Sequence, residues 1–121
     1  MRVLLAEDDH FFQNFYLRKL TEAGFTVDVA SDGNEAMKKL VEKKPDVMLL
    51  DLIMPNKNGF EVLAEISKNE NLKTLPIIVF STLGQESDIA KAKSLGATMY
   101  VNKTFFDFEN LLSKVNSVLK N

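Results

Sequence analysis

Val47 to Gly59 reads VMLLDLIMPNKNG. Val47–Leu50 is wholly apolar and runs straight into Asp51, and Pro55 and Gly59 then turn the chain away. A short apolar run bounded by turn residues reads as a strand buried on both faces, the kind that sits inside a parallel sheet. An unpaired carboxylate at the edge of a core loses hydration that another group must replace. In an open parallel α/β sheet, ligands bind in the crevice beyond the carboxyl ends of the strands, which is where Asp51 is expected.

Outward from this stretch, short apolar runs alternate with longer helical patterns. Arg2–Ala6 is expected as the first strand and His10–Ala23 as the first helix, closed by Gly24. Thr26–Ala30 alternates and is β-branched, which suits a strand nearer an edge. Asp32-Gly33 leads into a helix near Asn34–Lys43 that Pro45 stops. A third helix is expected over Gly59–Ser67, with Phe60, Leu63 and Ile66 at helical spacing. Pro76 introduces a buried strand at Ile77–Ser81, followed by a helix near Glu86–Leu95 and a last strand at Met99–Asn102. Asp107–Lys120 closes the chain as a helix with Phe108, Leu111, Leu112, Val115, Val118 and Leu119 on its apolar face. Strand–helix alternation of this kind implies a doubly wound parallel sheet with helices on both faces, because parallel neighbours need right-handed crossovers.

Composition narrows the function. The 121 residues suit one domain. A net charge of -2 argues against nucleic-acid binding by this chain alone. The lack of cysteine excludes disulfides and thiolate chemistry and is compatible with a cytoplasmic location. No apolar stretch approaches a membrane span, so no membrane association is expected.

A parallel sheet gathers the residues that follow its strands. Here these are Asp8 and Asp9 after Glu7, then Asp51, Ser81 and Lys103. Taken singly, Asp8 or Asp9 would be read as a helix cap, Ser81 as a strand-end hydroxyl, Tyr100 as core and Lys103 as a solvated cation. Taken together, clustered carboxylates repel unless a cation sits among them. A hard divalent ion, Mg²⁺ first and Mn²⁺ second, suits an all-oxygen site. One carboxylate could then act as a nucleophile on phosphorus, with Lys103 and Ser81 balancing phosphoryl charge. The single histidine, His10, reads as a surface residue.

AEDD after the first strand, LLDLIMPNKNG, FST after the fourth strand and GATMYVNKTF resemble, in order and spacing, the receiver domain of two-component response regulators. The resemblance covers nearly the whole chain as a single receiver, 1–121. It implies the flavodoxin-like five-stranded sheet of order 2-1-3-4-5 flanked by five helices. It implies that Asp51 accepts the phosphoryl group, and that Asp8, Asp9, Asp51 and the Ile53 backbone carbonyl hold Mg²⁺. Lys103 then pairs with the phosphoryl group, while Ser81 and Tyr100 take the places of the switch hydroxyl and the switch aromatic. Ile53 and Leu83 stand where the family tunes loss of the phosphoryl group. Both are bulky and apolar, so a long-lived phosphorylated state is expected.

The implied partners are a histidine kinase or histidine phosphotransfer protein, and a downstream target on the face of helix four, strand five and helix five. Phe11, Phe15, Phe106 and Phe108 are expected to form an aromatic docking patch for the kinase. Lys103-Thr104-Phe105 departs from the family's Lys-Pro-Phe, and the Lys103–Thr104 peptide is expected to be trans. A receiver-shaped module that no longer uses phosphate, and an Mg²⁺-dependent phosphatase, are the alternatives. A receiver standing alone and one cut from a longer regulator fit equally.

Overall fold

Most strands are short apolar runs that end where polar residues begin, and the first three helices start on a capping residue. The computed structural model describes residues 1–103 and 107–119. Its strands are β1 (Arg2–Ala6), β2 (Thr26–Ala30), β3 (Val47–Leu50), β4 (Ile77–Ser81) and β5 (Met99–Asn102). They alternate with α1 (His10–Glu22), α2 (Gly33–Glu42), α3 (Gly59–Ser67), α4 (Glu86–Ser94) and α5 (Phe108–Leu119). Asp9 caps α1, Asp32 caps α2, and Asn58 with Glu61 forms a reciprocal capping box on α3. Gly24, with φ +99°, and Gly96, with φ +109°, take the left-handed conformation that follows α1 and α4.

All strand pairs are parallel and the sheet order is β2-β1-β3-β4-β5, as expected. β3 is central and fully buried, whereas β2 lies at an edge and is half-exposed, in keeping with its alternating sequence. Strand side chains alternate between two cores. Leu4, Met48, Leu50, Ile77 and Val79 meet the core that includes Ala36 and Leu40 of α2, Val62, Leu63 and Ile66 of α3 and Ala92 of α4. Val3, Leu5, Leu49, Ile78 and Phe80 meet Tyr16 and Leu20 of α1 and Leu111 and Val115 of α5. Helices on both faces make the sheet doubly wound.

Register decides what the carboxyl edge presents. Ala6 lies level with Leu50 on one side and Ala30 on the other, and Leu50 is level with Val79. The residues that follow Ala6 and Leu50 are therefore neighbours, with the Asp51 amide donating to the Ala6 carbonyl at 3.0 Å. Gly59 allows the loop after β3 to return. Its amide donates to the Leu52 carbonyl at 3.0 Å, and a Cβ there would lie 2.4 Å from the Asp51 carbonyl oxygen. Gly33 makes a similar approach to Lys57, whose carbonyl oxygen a Cβ would meet at 2.2 Å. Among the described residues, no helix is long and apolar enough to cross a membrane.

Candidate functional site

Beyond the strand ends lies an open cavity of about 470 Å³ lined by Glu7, Asp8, Asp9, His10, Phe12, Asp51, Ile53, Thr82 and Lys103. β1 delivers the acids, β3 delivers Asp51, and β5 delivers Lys103 from the opposite edge of the sheet. Glu7 is fully buried, Asp51 nearly so, and Lys103 keeps only 8 % exposure. The Lys103 ammonium donates to Glu7 Oε1 and lies 3.2 Å from Asp51 Oδ2. Asp51 Oδ1 accepts from the Ile53 amide at 3.2 Å, so both of its oxygens are engaged. Burial pushes the Glu7 carboxyl up to about 7; the Asp51 charge adds to this and the Lys103 hydrogen bond opposes it.

The acids group differently from expectation. Glu7, Asp8 and Asp51 each place one carboxylate oxygen within 4.8 Å of the others. Asp9 does not belong to that trio. Its Oδ1 accepts from the Phe11 and Phe12 amides at 2.9 and 3.2 Å, so it satisfies the open end of α1. The acids after β1 whose carboxylates group with Asp51 are thus Glu7 and Asp8. A signal for this lay in the sequence: Asp9 directly precedes the helix and so takes the capping position. The trio offers hard oxygen donors and excess negative charge, which fits a magnesium-like cation.

Ser81 is fully buried, and its Oγ accepts from the Leu83 amide at 3.2 Å. The Tyr100 hydroxyl donates to the Leu83 carbonyl, so two side chains from neighbouring strands hold one peptide segment by its two ends. Burial pushes the Tyr100 phenol upward, and Asp88 adds to the shift. Ile53 is half-exposed and lines the cavity. Leu83 does not line it: its side chain packs against the core on the α2–α4 side, and Thr82 is the residue of that loop that faces the cavity.

The expected aromatic patch is divided. Phe11 is 72 % exposed. Phe15 packs edge-on against Phe108 with ring centroids 6.4 Å apart, and both rest on the core between α1 and α5. Phe11, Asn14, Phe15 and Arg18 line a shallow groove on α1. Phe106 and the Lys103–Thr104 peptide lie outside the described residues.

Comparison with known proteins follows the same lines. Residues 3–116 match the family model of the response regulator receiver domain. The chain is 38 % identical over 105 residues to response regulator RR06 of Streptococcus pneumoniae, covering 87 % of this chain and 47 % of RR06. It is 32 % identical to protein PilH of Pseudomonas aeruginosa, covering 98 % of this chain and 97 % of PilH. The chain spans about half the length of several curated relatives it matches, RR06 among them. Among solved structures, the Vibrio cholerae chemotaxis protein CheY4 superposes with a TM-score of 0.90 at 30 % identity, over 98 % of both chains. With its sheet order, its carboxyl-edge acids and a family match over nearly its whole length, this chain belongs to the response regulator receiver domain family.

Proposed function

We propose that this receiver accepts a phosphoryl group on Asp51 in a reaction that depends on Mg²⁺, with Mn²⁺ as a substitute, and passes the signal on through Ser81 and Tyr100. The observation that carries this reading is the convergence of Glu7, Asp8, Asp51 and the Lys103 ammonium in one cavity at the carboxyl edge of the sheet. Asp8 and Asp51 would hold the metal together with Glu7 and the Ile53 backbone carbonyl; when bound, it neutralises charge on the phosphoryl oxygens.

The Asp51 carboxylate attacks phosphorus as a nucleophile. A new oxygen–phosphorus bond forms, and the donor's bond to phosphorus breaks with its electron pair leaving on the donor. Lys103 is already within reach of Asp51, so its ammonium can exchange a carboxylate oxygen for a phosphoryl oxygen with little movement. Turning the Ser81 hydroxyl toward the new group would change its bonds with the Leu83 amide and the Tyr100 side chain. Because Tyr100 is bonded to the carbonyl of the same residue, movement of Leu83 changes what holds the Tyr100 ring. This links the acid cavity to the face made by α4, β5 and α5, where a downstream protein would read the change.

The donor is a histidine kinase or a histidine phosphotransfer protein, and the exposed Phe11 beside the α1 groove supports docking there. Two-component receivers meet such donors in the cytoplasm, where we place this chain. It modifies itself and turns over no metabolite.

The test is intact mass after incubation with acetyl phosphate, with and without Mg²⁺, on the wild type and on Asp51→Asn. One added phosphoryl mass that requires both Mg²⁺ and Asp51 is expected. If no mass is added and beryllofluoride also fails to bind, the receiver works without phosphate.

A further inference from the structure

Lys103 has a second set of neighbours besides the acids. Its Nζ lies 4.6 Å from the centroid of the Phe12 ring and 4.7 Å from that of Phe80. An ammonium within about 6 Å of a ring centroid is attracted by the negative face of the ring, most strongly where water is excluded. Water is largely excluded here, since the Lys103 side chain is only 4 % exposed. Phe80 comes from β4 and is packed edge-on against Tyr16 with centroids 5.0 Å apart, so its ring is held by the core. Phe12 comes from the first turn of α1 and stacks on Tyr16 at 6.0 Å. The Asp9 cap bonds the Phe12 amide itself, which ties the position of this ring to the end of the helix.

We infer that Phe12 and Phe80 are positioning residues for Lys103: their ring faces form a seat that keeps the ammonium beside Asp51 while the charges of the surrounding acids change. This rests on the phosphoryl-accepting reading above. In that reading the acids around Lys103 do not keep a constant charge, because Asp51 becomes an acyl phosphate and Glu7 and Asp8 share a cation. An ammonium held by carboxylates alone would lose partners at the moment it is needed. The ring quadrupoles do not change, so the attraction they supply is constant through the cycle. Among the residues that line the acid cavity, Phe12 is the one contributing such a ring face, which makes it the accessible half of the seat.

The experiment replaces Phe12 in the full chain with 4-fluoro-, 3,5-difluoro- and 3,4,5-trifluorophenylalanine, alongside Phe12→Tyr and Phe12→Leu. Fluorination drains the ring face of negative charge while keeping the ring's shape, so the series does not depend on whether Phe12→Leu folds. Calorimetric titration measures beryllofluoride binding in the presence of Mg²⁺ and, separately, Mg²⁺ binding alone. Beryllofluoride affinity is expected to fall stepwise with fluorination, reaching about fivefold weaker for the trifluoro ring, with Phe12→Tyr close to wild type. Mg²⁺ affinity alone is expected to stay within about twofold, because fluorination changes the attraction of the ring for the ammonium and leaves the oxygen donors in place. A flat beryllofluoride series in a chain that otherwise binds it overturns the seat and leaves the receiver reading intact. Parallel weakening of Mg²⁺ binding also overturns it, since that marks general damage to the cavity. A wild type that takes up no beryllofluoride removes the phosphoryl reading, and the seat with it.

Discussion

Lys103 Nζ lies 3.2 Å from Asp51 Oδ2 although the two residues are 52 positions apart, and the same ammonium bonds the fully buried Glu7. One cation thus pairs with two acids that follow two other strands. Removing one partner of a buried ion pair leaves an uncompensated charge, which costs several kcal/mol unless the group takes up a proton. Lys103→Met is therefore expected to destabilise the metal-free fold by about 2–3 kcal/mol, less than the full penalty because Glu7 is already poised to protonate. Urea denaturation should show this, and Mg²⁺ should restore part of the loss by replacing the missing positive charge. Equal stability with and without Lys103 would mean that the acids are not held by it.

The division of labour among the acids after β1 is open to a direct test. Asp8→Asn should weaken Mg²⁺ binding at least about tenfold, since it removes a charged oxygen from the trio. Asp9→Asn should leave Mg²⁺ affinity within about twofold, because asparagine caps a helix as well as aspartate does. Asp9→Ala should cost about 1 kcal/mol of stability through the lost cap. Calorimetry with Mg²⁺ on the three variants reads all of this; a large loss of affinity in Asp9→Asn would return Asp9 to the metal.

Gly59 lies where the loop after Asp51 folds back on itself. A methyl group there would come within 2.4 Å of the Asp51 carbonyl oxygen and 2.7 Å of the Leu52 Cα, both of them backbone atoms with little room to yield. Gly59→Ala is expected to lower stability by about 2–3 kcal/mol and to slow phosphorylation by acetyl phosphate, because the shift falls on Asp51, the residue proposed to accept the phosphoryl group. Gly24→Ala, with no neighbour within 4 Å, serves as a control that meets backbone strain without a clash.

Phosphoryl lifetime should respond to Ile53 more than to Leu83. Ile53 is half-exposed at the cavity and can shield or admit water, whereas Leu83 packs its side chain against the core. Ile53→Asn is expected to speed loss of the phosphoryl group several-fold with little change in stability. Leu83→Glu is expected to show its main effect in thermal stability, since it brings a charge toward an apolar core. Decay of the phosphorylated mass after removal of the donor, with melting curves alongside, separates the two.

Phe11 is exposed, so Phe11→Asp should change stability by less than about 0.5 kcal/mol. It should slow phosphotransfer from a cognate histidine kinase and leave acetyl phosphate unaffected. Equal slowing with both donors would remove the docking role of the α1 groove.

Much of this fold was legible because the strands are short apolar runs with clear punctuation. Val47–Leu50 lies between Asp46 and Asp51, Ile77–Ser81 follows Pro76, and their buried character follows from having no polar alternation. The helix ends follow from Asp9, Asp32 and Asn58 as caps and from Gly24 and Gly96 as exits. What escaped the sequence reading depends on side-chain direction. Glu7 is one of three consecutive acids; the position before the helix marks Asp9 as the cap, but that Glu7 turns inward follows only from packing. Leu83 stands where the resembled family tunes loss of the phosphoryl group, but its side chain packs against the core and does not line the cavity. Phe15 looked external by helical periodicity, yet it meets Phe108 of a distant helix.

The sequence by itself determined the alternation of strands and helices, the acid at the end of the central strand, and the family to which that order of motifs points. These are properties of local pattern, set by burial periodicity and turn chemistry along the chain. Only the tertiary structure decided that Glu7 joins Asp8 and Asp51, and that Lys103 rests on the faces of Phe12 and Phe80. Those choices turn on register between parallel strands and on which neighbour satisfies a buried charge, and both are fixed by residues far away in the sequence.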